Sequence, residues 1–365
     1  MENKIKIIAF YLPQFHPFKE NDEWWGKGFT EWTNVAKAKP LFKGHYQPKI
    51  PADLGFYDLR LPEVREEQAQ LAKQAGIYGF CYWHYWFNGQ ELMERPWNEV
   101  VNSENPDFPF CIGWANESWM SKMWNKDGSI AGGKILIEQT YGGEKDANEH
   151  FERLLPAFLD KRYIKIDGAP LVFIHRALDL PEEIIEFWNQ KAIENGLSGI
   201  HFVGRLTYND FLNGGYDVLK RRGFNAVTVG RLGNSLLHQS KFDKLKRHVM
   251  SIFKYNGCSR VVSYIEDSKF YIDNFDKKED IYPAVYPNWD HSPRSGKNGL
   301  IVTDSSPALF GNVLRKMVGV VSKKSEEHQI IFLKSWNEWG EGNYIEPDCK
   351  NGREFLRQIF NILNE

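Results

Sequence analysis

The strongest constraint on the fold is a series of eight short apolar runs: IKIIAFY (5–11), YGFCYW (78–83), FPFCIGW (108–114), APLVFI (169–174), IHFVG (200–204), FNAVTVG (224–230), IYPAVY (281–286) and QIIFLKS (329–335). Their hydrophobicity is continuous rather than alternating, which predicts strands covered on both faces, as in a parallel sheet. Helical patterns lie between them. Pro62 opens one, with Val64, Leu71, Ala72 and Ala75 on one face and Gly76 at its end. Pro181 opens a second, with Ile184, Ile185 and Trp188, and Ser306-Pro307 a third, with Phe310, Val313, Leu314 and Met317. The chain closes on Phe355, Leu356, Ile359 and Leu363. Eight strands, each followed by a helix or a long connection, predict the α/β class and a single (β/α)8 TIM barrel. No Gly/Ser-rich linker or repeat divides residues 1–365, so one domain is expected, with long βα loops at 12–60, 115–145 and 231–278.

Composition narrows the ligand. Lys and Arg (46) nearly balance Asp and Glu (48), so neither nucleic acid nor an anionic membrane is indicated, and a neutral ligand is expected. Aromatics at 15 %, thirteen of them Trp, exceed what packing requires. The N-terminus has a short basic stretch and too short an apolar run for a secretory signal, and nothing approaches the roughly 20 apolar residues of a membrane span. The four cysteines stand singly, as buried reduced thiols would. The expectation is a soluble, cytoplasmic protein without cofactor or metal, whose oligomeric state is open. GSIAGGK (128–134) has the outline of a phosphate loop, but Ile135 stands where Ser or Thr should follow. The basic segments LKRR (219–222) and KFDKLKRH (241–248) read as solvated helix faces.

In a (β/α)8 barrel the site lies at the C-terminal ends of the strands. The last run leads into KSWNEWGEGNYIEP (334–347), which sets Glu338 and Glu341 three residues apart beside Trp336 and Trp339. Other strand ends supply Tyr11, Gln14 and His16, then His84 and Trp86, then Trp114, Asn116 and Glu117, then His175, and finally Trp289 with Asp290. This lining suits carbohydrate. A sugar packs its C–H face on an indole and pairs its hydroxyls with amides, imidazoles and carboxylates. Cleaving a glycosidic bond requires an acid and a second carboxylate, and two like charges at short range raise one pKa. The competing reading of Glu338 and Glu341 is a solvated turn, disfavoured by the preceding strand and the flanking Trp. Trp114 and Trp289 read equally as core residues or sugar platforms, His175 as a site residue or a satisfied core histidine, and Glu117 as a hydroxyl binder or a third catalytic carboxylate.

The segments YLPQFHP, GFTEWTNV, YGFCYWHYWF, CIGWANESW and SWNEWGEGNYIEP together resemble the WbsX-like proteins found among bacterial O-antigen and polysaccharide biosynthesis genes, across nearly the whole chain. These are in turn similar to glycoside hydrolase family 99, the endo-α-mannosidases and endo-mannanases. That resemblance implies a (β/α)8 barrel and retention of configuration through a 1,2-anhydro sugar. Glu338 would assist the substrate's 2-hydroxyl and Glu341 would be the acid/base. Mannose specificity is not carried over. Hydrolysis and transfer to a sugar acceptor remain open. A nucleotide-sugar-dependent glycosyltransferase is the rival, although no D-x-D pair occurs. A catalytically silent carbohydrate-binding protein is the third reading.

Overall fold

The computed structural model of the chain describes residues 4–120, 123–124, 130–131 and 133–365, so GSIAGGK falls partly outside the described residues. Eight parallel strands form the expected barrel: β1 (Lys6–Tyr11), β2 (Gly79–Phe87), β3 (Phe110–Trp114), β4 (Ala169–Ile174), β5 (His201–Thr207), β6 (Ala226–Gly230), β7 (Ala284–Val285) and β8 (Ile330–Leu333). Each pairs with its sequence neighbour from β1 to β6, β1 also pairs with β8, and β8 with β7. The seam between β6 and β7 is held by one parallel bridge, Val227 to Ile281, with hydrogen bonds of 2.8 and 2.9 Å.

Helices cover the outside: α1 (Pro62–Gln74), α2 (Glu94–Ser103), α3 (Gly143–Leu159), α4 (Glu182–Glu194), α5 (Gly215–Arg221), α6 (Lys241–Phe253), α7 (Pro307–Val321) and α8 (Glu354–Leu363). The start signals act as expected. Ser306 caps α7 by accepting from the Leu309 amide, with Pro307 in the first turn. Gly76 turns the chain after α1 at φ +83°, where a Cβ would be strained. The loop 12–60 is not structureless; it contains the short helices Lys19–Trp25 and Glu31–Lys37.

Side chains alternate between the barrel axis and the helix layer with a period of two. Facing the axis, Phe10, Trp83, Phe173 and Phe332 form a plug, with Phe10 stacked 4.7 Å from Trp83 and meeting Phe173 edge-on at 4.8 Å. Their neighbours face outward: Tyr11 reaches Gln68 on α1, Tyr82 meets Trp97 on α2, and Trp114 stacks on Trp188 of α4. Removing one ring of the plug, as in Phe173→Ala, would cost roughly 3–5 kcal/mol. The plug also forms a dry floor beneath the strand ends.

Candidate active site

Beyond β8, SWNEWGEGNY folds into a small antiparallel ribbon in which Asn337 and Glu338 pair with Tyr344 and Asn343. Asn337 anchors it: its side chain accepts from the Leu12 amide at 2.7 Å and donates to the Leu12 carbonyl at 3.0 Å, tying the loop to β1. A single 3-10 turn, Trp339–Glu341, joins the two arms, and Gly342 follows at φ +54°. Gly340 is required by close approach, since a Cβ there would overlap the Glu31 carboxylate. Both catalytic candidates thereby come from one rigid bed.

Glu338 is 5 % exposed. It accepts the Trp83 indole N–H at 2.8 Å and the Asn343 amide at 3.4 Å, with Lys334 Nζ at 3.9 Å. Burial pushes its carboxyl up to about 7, Lys334 opposes this, and the neighbouring Glu341 charge adds to it. Glu341 differs. Burial acts to raise it as well, but Arg294 at 2.8 Å, His291 at 3.5 Å and Lys334 hold it well below the usual carboxylate range. Arg294 is in turn fixed by Glu31, at 2.9 and 3.1 Å. The surroundings of the pair therefore favour the protonated form of Glu338 and the ionised form of Glu341.

Glu346, a third carboxylate of the same motif, lies behind the pair and is also raised to about 7 by burial. It accepts from Tyr57, Gln68 and Trp339 Nε1 at 2.9, 2.6 and 2.6 Å, so it positions Trp339 rather than facing the cavity.

Among the other expected site residues, His175, Glu117 and Trp289 gather near the pair. His175 meets Trp83 edge-on at 5.5 Å, and Glu117 approaches it at 3.7 Å. Burial, with Arg205 and Lys334 nearby, keeps the His175 ring neutral. Trp289 is partly exposed, lies parallel to His291 and carries Lys334 over its face at 5.5 Å.

The remaining candidates do not reach the site. Tyr11 is spent on Gln68 in the barrel–helix layer. His84 bonds His150 of α3 at 2.7 Å, and Trp86 stacks on the same imidazole and bonds Asp146 at 2.8 Å. Trp114 is core, its indole donating to the Trp86 carbonyl. Trp336 and Trp339 are core as well, Trp339 stacked 3.6 Å from Tyr344. Asn116 braces Tyr141 and Arg176. His16, which burial lowers to about 4, bonds the Pro13 carbonyl, and Gln14 bonds Asn21. Asp290 is held by His45 and Gln47 at 2.8 and 2.6 Å. For the candidates on strands the reason is parity. His84, Trp86 and Trp114 are one residue out of phase with Trp83 and Gly113, which face inward, and a one-residue offset sends a side chain to the helices.

Trp83 and Lys334 were missed, although counting inward positions along β2 and β8 would have found them. Arg294 and His291 come from a distant segment that no local pattern marks, whereas Glu31 opens the helix Glu31–Lys37 within the quoted GFTEWTNV. Among the described residues, no cluster of three His, Cys, Asp or Glu is arranged to hold a metal. Nor is any helix long and apolar enough to cross a membrane.

The model of the family described as Glycosyltransferase WbsX matches residues 7–359. The chain belongs to this family. It is 35 % identical over 358 residues to the uncharacterized protein WxcX of Xanthomonas campestris pv. campestris strain B100, covering 96 % of this chain and 48 % of that protein, and equally similar to WxcX of a second strain. The chain thus spans about half the length of the curated relatives it matches. Among solved structures it is similar to a glycoside hydrolase family 99 endo-α-mannosidase from Bacteroides thetaiotaomicron, with TM-score 0.58, 13 % identity, and coverage of 100 % of this chain and 97 % of that one. A glycoside hydrolase-like protein matches with TM-score 0.57 at 15 % identity over 98 % and 94 % of the chains. The WbsX family member therefore has the (β/α)8 fold of the family 99 enzymes.

Proposed function

We propose that this chain is a carbohydrate-active enzyme that cleaves or transfers a glycosidic bond in a bacterial polysaccharide such as O-antigen or its lipid-linked precursor, with Glu338 and Glu341 as the catalytic pair. The observation that carries this reading is a pair of carboxyl groups from one turn at the end of β8 in unlike surroundings, Glu338 buried against Trp83 with its carboxyl raised to about 7, and Glu341 ion-paired with Arg294 and held low. A glycosidase needs that combination at neutral pH: an acid for the leaving oxygen and a charged group that activates the attacker. Trp289 is the available sugar platform, and His175 and Glu117 are the hydroxyl partners.

In the mechanism that the family 99 resemblance implies, one carboxylate draws the proton from the substrate's 2-hydroxyl, whose oxygen attacks the anomeric carbon. The other protonates the departing oxygen. Ring opening of the 1,2-anhydro sugar by water or by an acceptor hydroxyl then restores both groups. The resemblance makes Glu341 the acid, whereas the surroundings favour the protonated form on Glu338. For Glu341 to act as the acid, substrate must weaken its pairing with Arg294; otherwise Glu338 delivers the proton. Substrates with an activated aryl leaving group separate the two assignments, because the variant lacking the acid is spared on them.

The family description favours a second reading, a nucleotide-sugar-dependent glycosyltransferase. The test is a mass-spectrometric screen of the purified chain against bacterial O-antigen oligosaccharides beside Glu341→Gln. Shortened products from the wild type alone support hydrolysis, and lengthened or rearranged products without nucleotide sugar support transglycosylation. Turnover only on adding a nucleotide sugar overturns the mechanism in favour of the second reading. Binding without turnover, retained by Glu341→Gln, favours the silent binding protein.

A further inference from the structure

The near-neutral balance of the whole chain hides a local imbalance at the barrel mouth. A cavity of about 620 Å³ lies over the C-terminal ends of β5 to β8. Its wall includes Arg205, Arg260 and Lys334, with Trp289 and His291, and contains no aspartate or glutamate. Arg205 is aimed there by strand parity, because a side chain at Gly204 would meet Leu219 and Ala177 on the helix side. Neither Arg205 nor Arg260 has a carboxylate partner among the described residues. Lys334 is already engaged with the catalytic pair, 3.9 Å from Glu338 and acting on the Glu341 charge. Two guanidinium groups lining one cavity without counter-charge leave a positive potential that a bound oxyanion relieves. The guanidinium fork fits carboxylate and phosphate alike, while Trp289 offers a face for the sugar ring.

We propose that this cavity is a subsite for a negatively charged sugar, whose oxyanion, the carboxylate of an acidic sugar or the phosphate of a glycosyl phosphate, is held by Arg205 and Arg260 beside the scissile bond. The proposal rests on the catalytic reading of the pair and names the substrate class for it. Calorimetric titration of the intact chain with D-glucuronate, glucose 1-phosphate and D-glucose tests it. At least one anionic sugar binds tenfold or more tightly than glucose; the double variant Arg205→Gln/Arg260→Gln loses that preference, and Glu341→Gln keeps it. Preference for glucuronate identifies the carboxylate source, and preference for glucose 1-phosphate the phosphate source. Equal binding of all three sugars, or a preference that survives loss of both arginines, overturns the proposal. The two readings fail separately. An enzyme that turns over glycans without anion preference ends the subsite alone, and anion preference in a protein that turns over nothing ends the catalytic reading alone.

The lobe after β6 presents an inverted helix. In α6, Phe242, Leu245, Val249 and Ile252 recur at steps of three, four and three, which is one helical face, and Phe253 adjoins them. All five are between 45 and 84 % exposed, whereas Ser251, on the opposite side, is the buried residue of the helix. Lys241 and Lys246 flank this face, while Lys244, Arg247 and the following Lys254 project toward the opposite side; none is ion-paired among the described residues. The helix's one carboxylate, Asp243, is engaged with Ser240 in the N-cap. The segment KFDKLKRH is thus a helix as expected, but the face it gives to solvent is apolar as well as basic.

The geometry points to an anionic lipid surface as the occupant of this face, with the apolar side chains inserted and the lysines at the headgroups. Charge complementarity selects lipid over a second copy of the chain, which would set basic residues against basic residues. Because α6 belongs to a βα loop, docking would turn the catalytic end of the barrel toward the lipid interface. Flotation with vesicles of phosphatidylcholine, with and without phosphatidylglycerol, tests this. Binding is at least tenfold greater with phosphatidylglycerol, falls as salt rises, and is lost in Phe242→Ser/Phe253→Ser with the circular dichroism unchanged. Equal behaviour on both vesicles overturns the proposal, as does a concentration-dependent dimer in sedimentation velocity that the same serine variant abolishes.

Discussion

After β8 the chain buries two carboxyl groups, Glu338 and Glu346, and largely withdraws a third, Glu341; after β6 it leaves five large apolar side chains of α6 in water. Each loop departs from ordinary burial, in opposite directions. In the β8 loop every withdrawn charge has assigned neighbours: Trp83 and Asn343 for Glu338, Arg294 and His291 for Glu341, Tyr57, Gln68 and Trp339 for Glu346. In the β6 loop nothing among the described residues covers the exposed face. A self-contained site completes its own network, whereas a docking surface is completed by something else. The difference is a practical way to tell them apart.

The largest expected effect breaks the β8 side of this comparison. Glu341→Gln and Glu338→Gln should each lower kcat on a turned-over oligosaccharide by about a thousandfold, about 4 kcal/mol of transition-state stabilisation. Single-turnover rates measure this, and a loss below tenfold in both would remove the pair from the chemistry.

Stability should move the other way for Glu338. Its folded value of about 7 lies above the roughly 4.3 of an unfolded Glu, so the native state holds the proton more tightly. That contribution is full below about pH 4 and is lost as pH rises through about 7. Glu338→Gln should therefore be more stable than the wild type at pH 8, by up to about 3 kcal/mol, with the gain vanishing at pH 4. Urea titrations at the two pH values decide it.

Gly340→Ala puts a methyl where the Glu31 carboxylate sits and should cost about 2 kcal/mol while loosening Arg294. Thermal melts read the first effect, and a rise in the Glu341 pKa, seen in the pH–rate profile, reads the second. Trp83→Phe keeps a ring in the barrel plug but removes the indole donor to the ionised form of Glu338. The apparent pKa of the pair should rise by about one unit, visible in the pH dependence of kcat/KM. The smallest effect falls on the β6 side: Leu245→Ser should change unfolding stability by less than about 0.5 kcal/mol, since the residue is already in water. A loss of several kcal/mol would mean that α6 packs on its own chain.

The eight strands, the caps of α1 and α7 and the position of the motif at the end of β8 were legible in the sequence. They depend on local rules: continuous hydrophobicity, Pro and Ser start signals, and the order of strands around a barrel. Glu338 and Glu341 were legible too, because chain spacing alone makes them neighbours. Which strand-end aromatics enter the site was not. His84, Trp86 and Trp114 end apolar runs as Trp83 does, and only strand register, which a one-residue offset inverts, separates inward from outward. The unlike surroundings of the two carboxyl groups also lie beyond sequence. Arg294 and His291 reach Glu341 from dozens of positions away, Glu31 fixes Arg294 from hundreds away, and a pKa depends on distance and burial rather than on order along the chain. The sequence by itself determined the barrel and the strand end at which the Glu338–Glu341 motif would stand, because those follow from periodicity; the tertiary structure alone decided which charges surround each carboxyl group, because charges act through space.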